Sequence, residues 1–412
     1  MVNEMTISYR TIPLESVDIT SPSFKADPFP TFKHWRETKP VVPVKTFGER
    51  AWIITRYDDV LAALTDERLV KNRQNVLDPS KRKGAIWVPN FVKPLQNGMI
   101  DADVPDHTRL RSLVHQAFMP RLIAQMQARI YRLAHELIDR VQTKGEMDLI
   151  RDFALPIPTT VISEMLGVPE SDRADFQRWS QVIVSVNKPI DGIKALPSLY
   201  RLVRFLRRLF REHILDPQDN LTSALLQAES EGSTLSEDEL IGMVALLLSA
   251  GHETTVNLIG NGVLALLNNP VELNRLRNKP ELMKPAVEEL VRYTPPVLFA
   301  TSRYAREDLA IAGTQIPQGE LVLAAIGSAN HDPSRFEYPE TLMLDRPNNK
   351  HLGFGSGIHY CLGAPLARME SSIAFQVLFE RLPNLQLAAA PEQLRWNSSL
   401  ILRGLKSLPV RF

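Results

Sequence analysis

Cysteine is almost missing from this chain, because only Cys361 among the 412 residues is a cysteine. A single cysteine excludes the class of small secreted proteins that depend on a disulfide framework. Lone cysteines are most often small buried hydrophobes. A chemical role for Cys361 therefore has to be argued from the residues around it.

Long apolar runs and an excess of one charge are also lacking. The longest apolar run, Met243 to Leu248, is far shorter than the roughly 20 residues that cross a bilayer. The segment from Met1 to Thr20 is polar, so we predict neither a signal peptide nor a membrane anchor. Lysine and arginine (48) balance aspartate and glutamate (47), which does not favour nucleic acid as a partner. We expect a soluble, cytoplasmic and monomeric protein.

No stretch is rich in glycine and serine or low in complexity, so no linker is indicated. We predict a single domain over residues 1–412, helix-rich with a smaller N-terminal lobe that contains strands, and with residues 1–20 poorly constrained. Val41 to Thr46 and Ala51 to Thr55 are predicted as a strand pair, while helical periodicity dominates the middle of the chain. The predicted fold class is mainly α with small β-sheets.

Glycine is concentrated around Cys361. Three glycines precede it at a spacing of two, and a fourth follows two residues later. Glycine is used where the backbone turns sharply or approaches another group closely. A helix is predicted from Ala364, with Pro365 in its first turn. Because a helix N-terminus stabilises a thiolate, this loop is typical of a metal-ligand arrangement.

A second unusual stretch, Ala250-Gly251-His252-Glu253-Thr254, lies inside a long apolar helix. Its start is marked by a capping-box pattern from Ser236 to Glu239, and the helical pattern continues to Asn268. Adjacent polar residues in a buried helix need a reason. A structural reason is a hydrogen bond from Thr254 to the Ala250 carbonyl, which opens the helix locally. A functional reason uses the same opening to make room for O2 and water.

The pattern Phe354-Gly355-x-Gly357-x-His359-x-Cys361-x-Gly363 resembles the haem-binding loop of the cytochromes P-450, of the soluble bacterial type. The resemblance implies that Cys361 is the axial thiolate ligand of the iron in haem b. It implies that His359, the rival ligand on chemistry alone, contacts a haem propionate instead. The implied fold holds the haem between the long distal helix and the cysteine loop.

The resemblance also assigns roles to other residues. It implies that Thr254 hydrogen-bonds oxygen at the iron and that Glu253 relays protons from solvent. The residues that it implies for haem binding are His107, Arg111, Ala250, Gly251, Arg303, Phe354, Gly355, His359 and Gly363. It places Val297 to Ala300 on a strand that lines the pocket and continues to Arg303.

A carboxylate and an arginine three residues apart, Glu289 and Arg292, can pair on one helix face. On spacing alone, Glu288 and Arg292 are an equally good pair. The resemblance favours Glu289, because it matches the Glu-x-x-Arg pair of the family, with Arg346 as the third member of a structural triad.

The side chains expected to surround the substrate are largely apolar, and part of them lie in a loop that would roof the cavity. They are Trp87, Phe91, Met99, Ala245, Leu246, Val297, Leu298, Ile401 and Leu402. A lipophilic small molecule is therefore the expected substrate. The chemistry implied is insertion of one oxygen atom from O2, as hydroxylation or epoxidation.

No dinucleotide-binding fingerprint or flavin segment is found, so electrons are expected from separate proteins, a ferredoxin or flavodoxin with its reductase. Candidate contacts for an acidic ferredoxin are Arg109, Arg111, Lys350 and Arg368. The alternatives are a haem-thiolate nitric oxide reductase fed by NADH and a gas-binding haem protein. A further row of arginines, from Arg201 to Arg211, is read as a solvated helix face.

Overall fold

The structure, a computed structural model, describes residues 13–46, 48–76, 89–96, 98–118, 120–185 and 189–412. These residues form two compact units. Unit 1 takes the described part of Met1–Ala85 together with Glu289–Cys361 and Arg395–Arg403. Unit 2 takes the described part of Ile86–Glu288 together with Leu362–Leu394 and Gly404–Phe412. The prediction of a single domain over the whole chain stays a prediction.

Helices make up most of the described chain. They are α1 (Pro22–Ala26), α2 (Phe29–Thr38), α3 (Tyr57–Thr65), α4 (Asp106–Ala117), α5 (Pro120–Gln142), α6 (Pro156–Met165), α7 (Glu170–Ser185), α8 (Pro189–Leu215), α9 (Leu221–Gln227), α10 (Glu237–Leu267), α11 (Pro270–Asn278), α12 (Met283–Tyr293), α13 (Ile326–Ala329) and α14 (Ala364–Arg381). Short 3-10 turns include Lys93–Gln96 and Met99–Asp101.

The strands are short and form small sheets. They are β1 (Val41–Thr46), β2 (Glu49–Ile54), β3 (Leu69–Val70), β4 (Glu146–Asp148), β5 (Arg303–Ala305), β6 (Leu309–Ile311), β7 (Thr314–Ile316), β8 (Leu321–Ala324), β9 (Gln386–Leu387) and β10 (Pro409–Arg411). Unit 1 contains a sheet in the order β1-β2-β8-β5-β3 and the hairpin β6-β7. Unit 2 contains the sheet β4-β10-β9. The predicted class, mainly α with small sheets, is confirmed.

The larger sheet of unit 1 is buried on both faces, and its strands have apolar residues at successive positions. β1 and β2 pair antiparallel with Val41 opposite Ile54, and β2 runs parallel to β8. Side chains alternate between faces along a strand. Trp52 and Ile54 accordingly pack in one core cluster, whereas Ile53 packs in another with Val42. Burial on both faces explains why these strands lack a polar alternation.

Helix α10 runs through the interior of unit 2, as its sequence predicts. The Ser236 hydroxyl accepts the Glu239 N–H, and the Glu239 carboxylate accepts the Ser236 N–H, which completes the capping box. The helix then continues for 31 residues to Leu267. Its close packing is shown at Gly260, where a Cβ would lie 2.4 Å from Cδ1 of Ile150.

The structure corrects two local predictions. Val297 to Ala300 is not a strand but makes a single bridge from Val297 to Leu402, and Arg303 begins β5 separately. The segment before it, Pro295-Pro296, lacks backbone N–H groups, so a ladder cannot extend there. The second correction is that β2 begins at Glu49, two residues earlier than predicted. Within the described residues, no helix is both long and apolar enough to cross a bilayer.

Candidate functional site

The cysteine loop of unit 1 folds back on itself through two glycines. Gly355 and Gly357 have φ values of +72° and +68°, where a side chain would be strained. The fold-back lets the Cys361 N–H donate to the Phe354 carbonyl at 2.9 Å. Cys361 is half-buried and lies two residues before Gly363, the N-cap of α14. This position near a helix N-terminus favours the thiolate.

The end of α3 contacts both the cysteine loop and Arg303. A Cβ on Gly357 would lie 3.3 Å from the Leu64 carbonyl oxygen, and the same oxygen lies 3.5 Å from Nη2 of Arg303. Unit 1 thus brings Arg303 into the neighbourhood of the loop that carries Cys361. Lys71, which the sequence analysis missed, donates to the Thr301 and Ser302 carbonyls beside Arg303.

The surroundings of the Arg303 side chain show whether unit 1 can bind an anionic group of a cofactor. The side chain is 4% exposed, donates only to backbone carbonyls, and has no salt bridge to a described carboxylate. Burial lowers the pKa of Arg303 to about 10. A buried cation without an anion is unfavourable. The donor set therefore fits a bound carboxylate, such as a haem propionate.

The predicted triad is formed, and it is completely buried. The Glu289 carboxylate accepts Nε and Nη2 of Arg292 at 2.8 Å each, in a bidentate pair. Nε of Arg346 donates to the other side of the same carboxylate at 3.0 and 3.1 Å. Glu289 and Arg292 are 0% exposed. The alternative partner, Glu288, binds Arg368 instead, at 2.6 Å.

The triad supports the cysteine loop by two routes. Nη1 of Arg292 donates to the Asn330 carbonyl, and the Asn330 side chain accepts the Leu352 N–H at 2.8 Å. One residue later, a Cβ on Gly353 would lie 2.2 Å from Cγ1 of Val291 on α12. Helix α12 therefore positions the start of the loop by both hydrogen bonding and packing.

In unit 2, α10 carries the polar stretch. The Thr254 hydroxyl donates to the Ala250 carbonyl at 2.8 Å, and Thr255 donates similarly to Gly251. The structural reason foreseen for Thr254 is thus present. The Thr254 oxygen keeps lone pairs that can accept another donor. A structural and a functional role are therefore compatible.

The middle of the helix is exposed at this stretch. Ala250 and Gly251 are exposed although residues on either side of them in α10 are buried, and a Cβ on Gly251 would meet no described atom within 4 Å. Burial raises the pKa of the half-buried Glu253. His252 is buried and binds the Leu248 carbonyl through Nδ1, so its role is structural. An open apolar surface beside an acid and a hydroxyl suits a flat cofactor and proton delivery.

The predicted pocket residues of unit 2 divide into two groups. Gly98 approaches Leu246 of α10, which brings Met99 to the part of the helix that carries Ala245 and Leu246. Phe91 instead packs edge to face against Tyr200 of α8, with ring centroids 5.4 Å apart. Trp87 lies outside the described residues.

The pocket residues of unit 1 lie on two connected segments. Leu298 donates its N–H to the Ile401 carbonyl, and Val297 bridges to Leu402. The side chain of Leu298 is 0% exposed and packs with Phe299 in the core cluster, which makes it a core residue.

The turn from Ser399 to Leu402 is fixed by two buried cations that the sequence analysis missed. Nζ of Lys25 donates to the Leu400 carbonyl at 3.2 Å. Arg403 donates to the Lys25 carbonyl and to the Thr294 hydroxyl, both at 2.8 Å. Burial, and then the charge of Arg403, lower the pKa of Lys25 to about 7. Isolated cationic residues near the termini gave no sequence signal for this role.

The remaining predicted cations are on or near α4 and α14. His107 is 1% exposed and Arg111 half-buried, on one face of α4. Arg109 is paired with Glu239, and Arg368 with Glu288. Two of the four proposed ferredoxin contacts, Arg109 and Arg368, therefore already have carboxylate partners. These two arginines are less available to an acidic ferredoxin.

Glu370 of α14 is a buried acid that the sequence analysis missed. It is 2% exposed, makes no salt bridge to a described residue, and burial raises its pKa to about 8. The signal was available, because Glu370 lies at helical spacing from Leu366, Ile373 and Ala374 on the apolar face.

Comparison with known proteins agrees with this geometry. The cytochrome P-450 family model matches residues 29–279 and 275–387. The polyketide biosynthesis cytochrome P-450 PksS of Bacillus subtilis is 43% identical over 393 residues, covering 94% of this chain and 96% of its own length. The mycinamicin IV hydroxylase/epoxidase of Micromonospora griseorubida is 40% identical over 378 residues, covering 91% and 93%. The solved structure of PksS from Bacillus subtilis 168 superposes with a TM-score of 0.89 at 41% identity, covering 96% and 99%.

The chain belongs to the cytochrome P-450 family. It has the fold of that family, binds haem b and is a monooxygenase that incorporates oxygen from O2 into a lipophilic substrate with electrons from redox partners. The alternative functions, nitric oxide reduction and gas binding, are not favoured by these relatives.

The buried triad predicts a large loss of stability for Glu289→Ala. Removing the carboxylate leaves two buried guanidinium groups unpaired, which costs about 3–5 kcal/mol. We expect a lower urea midpoint and a low yield of haem-loaded protein, both measured on the purified full chain.

The adjacent Glu288 is the matched control for that variant. Its pair with Arg368 is partly exposed, with side chains 30% and 35% accessible, so Glu288→Ala should cost only about 0–1 kcal/mol. Equal effects of the two substitutions would contradict the structural role of the triad.

The buried Glu370 predicts a pH dependence of the unfolding free energy. Its pKa is about 8 in the folded chain against 4.5 ordinarily. The folded state thus binds more protons than the unfolded state between these values, and stability falls as pH rises from 4.5 to 8. Glu370→Gln should remove this contribution, so its stability relative to the original chain should increase with pH in urea titrations. The exposed Glu380→Gln on the same helix is the control, and parallel pH profiles for the original chain and Glu370→Gln would refute the assignment.

Proposed function

We propose that Cys361 would hold the haem iron and that Arg303, His107, Arg111 and His359 would bind the haem propionates. Haem b supplies an iron that activates O2. Support comes from the position of Cys361 near the N-terminus of α14 and from the buried, anion-free Arg303. The remaining haem contacts in this proposal are Ala250, Gly251, Phe354, Gly355 and Gly363.

The proposal assigns proton delivery to Glu253 and Thr254. The observation that carries it is the half-buried acid beside a hydroxyl, next to the exposed residues Ala250 and Gly251 in the middle of an apolar helix. Burial raises the pKa of Glu253, so this carboxyl holds a proton more readily than an exposed glutamate does. Thr254 donates to Ala250 and can accept a hydrogen bond at the same oxygen. Its proposed role is to accept a hydrogen bond at that oxygen and so to fix the position of a proton beside Glu253.

The substrate proposed is a polyketide-derived lipophilic molecule that is hydroxylated or epoxidised. Support comes from PksS, named for polyketide biosynthesis, and from the hydroxylase/epoxidase of mycinamicin IV. Met99 and Leu246 in unit 2, and Val297, Ile401 and Leu402 in unit 1, are the apolar residues proposed to contact it. The Lys25 and Arg403 contacts would keep the turn that carries Ile401 and Leu402 in place.

A ferredoxin or flavodoxin with its reductase is the proposed source of electrons, and the chain is proposed to be monomeric and cytoplasmic. Of the four candidate contacts for an acidic electron donor, Lys350 remains, since Arg111 is assigned here to a haem propionate. Arg109 and Arg368 are less suitable, because each is engaged by a glutamate.

The ligand proposal predicts the spectrum of the reduced carbon monoxide complex. The original chain should show the long-wavelength band typical of thiolate-ligated haem. Cys361→His should keep haem but move the band to the position typical of histidine ligation, because the thiolate no longer donates electron density to the iron. An unmoved band in Cys361→His would exclude Cys361 as the ligand.

The proton-delivery proposal predicts uncoupling in Thr254→Ala. Haem binding and substrate affinity should change little, because neither requires the hydroxyl, but reductant should be consumed with much less oxidised product and more hydrogen peroxide. The measurement is product formed per reductant consumed, with peroxide assayed in parallel.

Thr254→Ser is the matched control, since it keeps the hydroxyl and should keep most of the coupling. If Thr254→Ala retained the original coupling, the hydroxyl would have only its structural role on Ala250.

A further inference from the structure

Helix α8 presents a basic face that neither the haem site nor the triad uses. Its members, called here the arginine row, are Arg201, Arg204, Arg208 and Arg211. Their spacing of three, four and three residues places them on one side of the helix. All four are exposed or only partly covered, whereas Leu202, Leu206 and Leu209 on the other side are buried in unit 2.

Most of the row has no intramolecular counter-charge. Arg208 binds Asp172 at 2.7 Å and is 3.6 Å from Glu212. Arg201 and Arg204 have no carboxylate partner among the described residues, and Arg211 donates only to the Arg207 carbonyl. The neighbouring Arg207, by contrast, is paired with Glu237. Three aligned cations without such acids form an electrostatic surface that complements a row of carboxylates.

An exposed apolar side chain lies near each end of the row. Tyr200 is 51% exposed and Leu215, four residues after Arg211, is 86% exposed. From Tyr200 to Leu215 the helix spans about 20 Å at 1.5 Å per residue. A linear charged surface with apolar groups at its ends matches one amphipathic helix of a partner protein.

We propose that the arginine row is the docking surface for a small acidic protein that delivers the lipophilic substrate. The row is one side chain wide and is bordered by Asp172 and Glu212, so it is a narrow line of positive charge and not a broad basic patch. A narrow line matches a single acidic helix that lies along it. A protein helix is therefore favoured over a lipid surface.

The proposal that the partner delivers substrate is based on the segment that α8 packs against. Leu199 and Ala195 of α8 form a small core cluster with Val92, and Tyr200 contacts Phe91. This is the segment expected to roof the substrate cavity. A partner on the arginine row would lie beside that segment, where a tethered lipophilic group could pass from partner to enzyme. This step rests on the proposed function.

The test uses the haem-loaded full chain and a fluorescein-labelled acyl carrier protein bearing a hexadecanoyl chain on its phosphopantetheine arm. Fluorescence anisotropy measures the dissociation constant without turnover. The double variant Arg201→Glu plus Arg204→Glu should bind the labelled protein about tenfold more weakly or worse, and added salt should weaken the original complex. The matched control is Arg121→Glu plus Arg151→Glu, which makes the same charge change at exposed arginines elsewhere in unit 2 and should bind as the original chain does.

Three results would overturn the proposal. The first is no binding of the carrier protein to the original chain, or equal binding by the row variant. The second is loss of binding to vesicles of phosphatidylcholine and phosphatidylglycerol in the row variant with carrier binding intact, which would assign the row to membranes. The third is slower haem reduction by a ferredoxin with carrier binding intact, which would assign the row to electron transfer.

Binding of free hexadecanoic acid, followed by the haem absorbance shift, separates this proposal from the proposed function. It should be the same in the original chain, the row variant and the control, because the row does not contact untethered substrate. Loss of the thiolate-type carbon monoxide band would count against the proposed function, whereas the anisotropy result would still decide the role of the row.

Discussion

The buried carboxylate of Glu289 is the constraint on which unit 1 depends. It neutralises Arg292 and Arg346, whose other N–H groups hold the carbonyls of Asn330, Pro339 and Thr341. Each of these carbonyls belongs to irregular backbone that has no ladder or helix to satisfy it. The triad therefore replaces secondary structure as the support of the segment that leads to the cysteine loop, and a buried ionic network is retained because it organises backbone.

Helix α10, unlike the segment beside the triad, satisfies its backbone polar groups with its own helical hydrogen bonds. It can therefore be apolar along most of its length and still carry Glu253 and Thr254 beside the exposed Ala250 and Gly251. The hydroxyl of Thr254 stays bonded to Ala250, which limits the cost of a polar group in an apolar helix. The rigid helix, and not a loop, then sets where the acid and the hydroxyl lie.

Much of this was predictable from local patterns. The capping box at Ser236 predicted the start of α10, and the glycines around Cys361 predicted a tight turn before α14. Such features depend on residues close in sequence, whose φ angles, caps and helix faces are determined by residue type. The membership in the cytochrome P-450 family likewise followed from a short motif, because a metal ligand and the turn that presents it are local.

Tertiary structure decided which charges are satisfied and which are not. Spacing alone could not choose between Glu288 and Glu289, and the fold chose by burying one with Arg346 and exposing the other beside Arg368. Packing between distant segments likewise put Lys25 beside the Leu400 carbonyl. Sequence by itself determined the tight turn at Cys361 and the start of α10. Burial and pairing of charge were decided by tertiary structure, because desolvation depends on segments far apart in the chain.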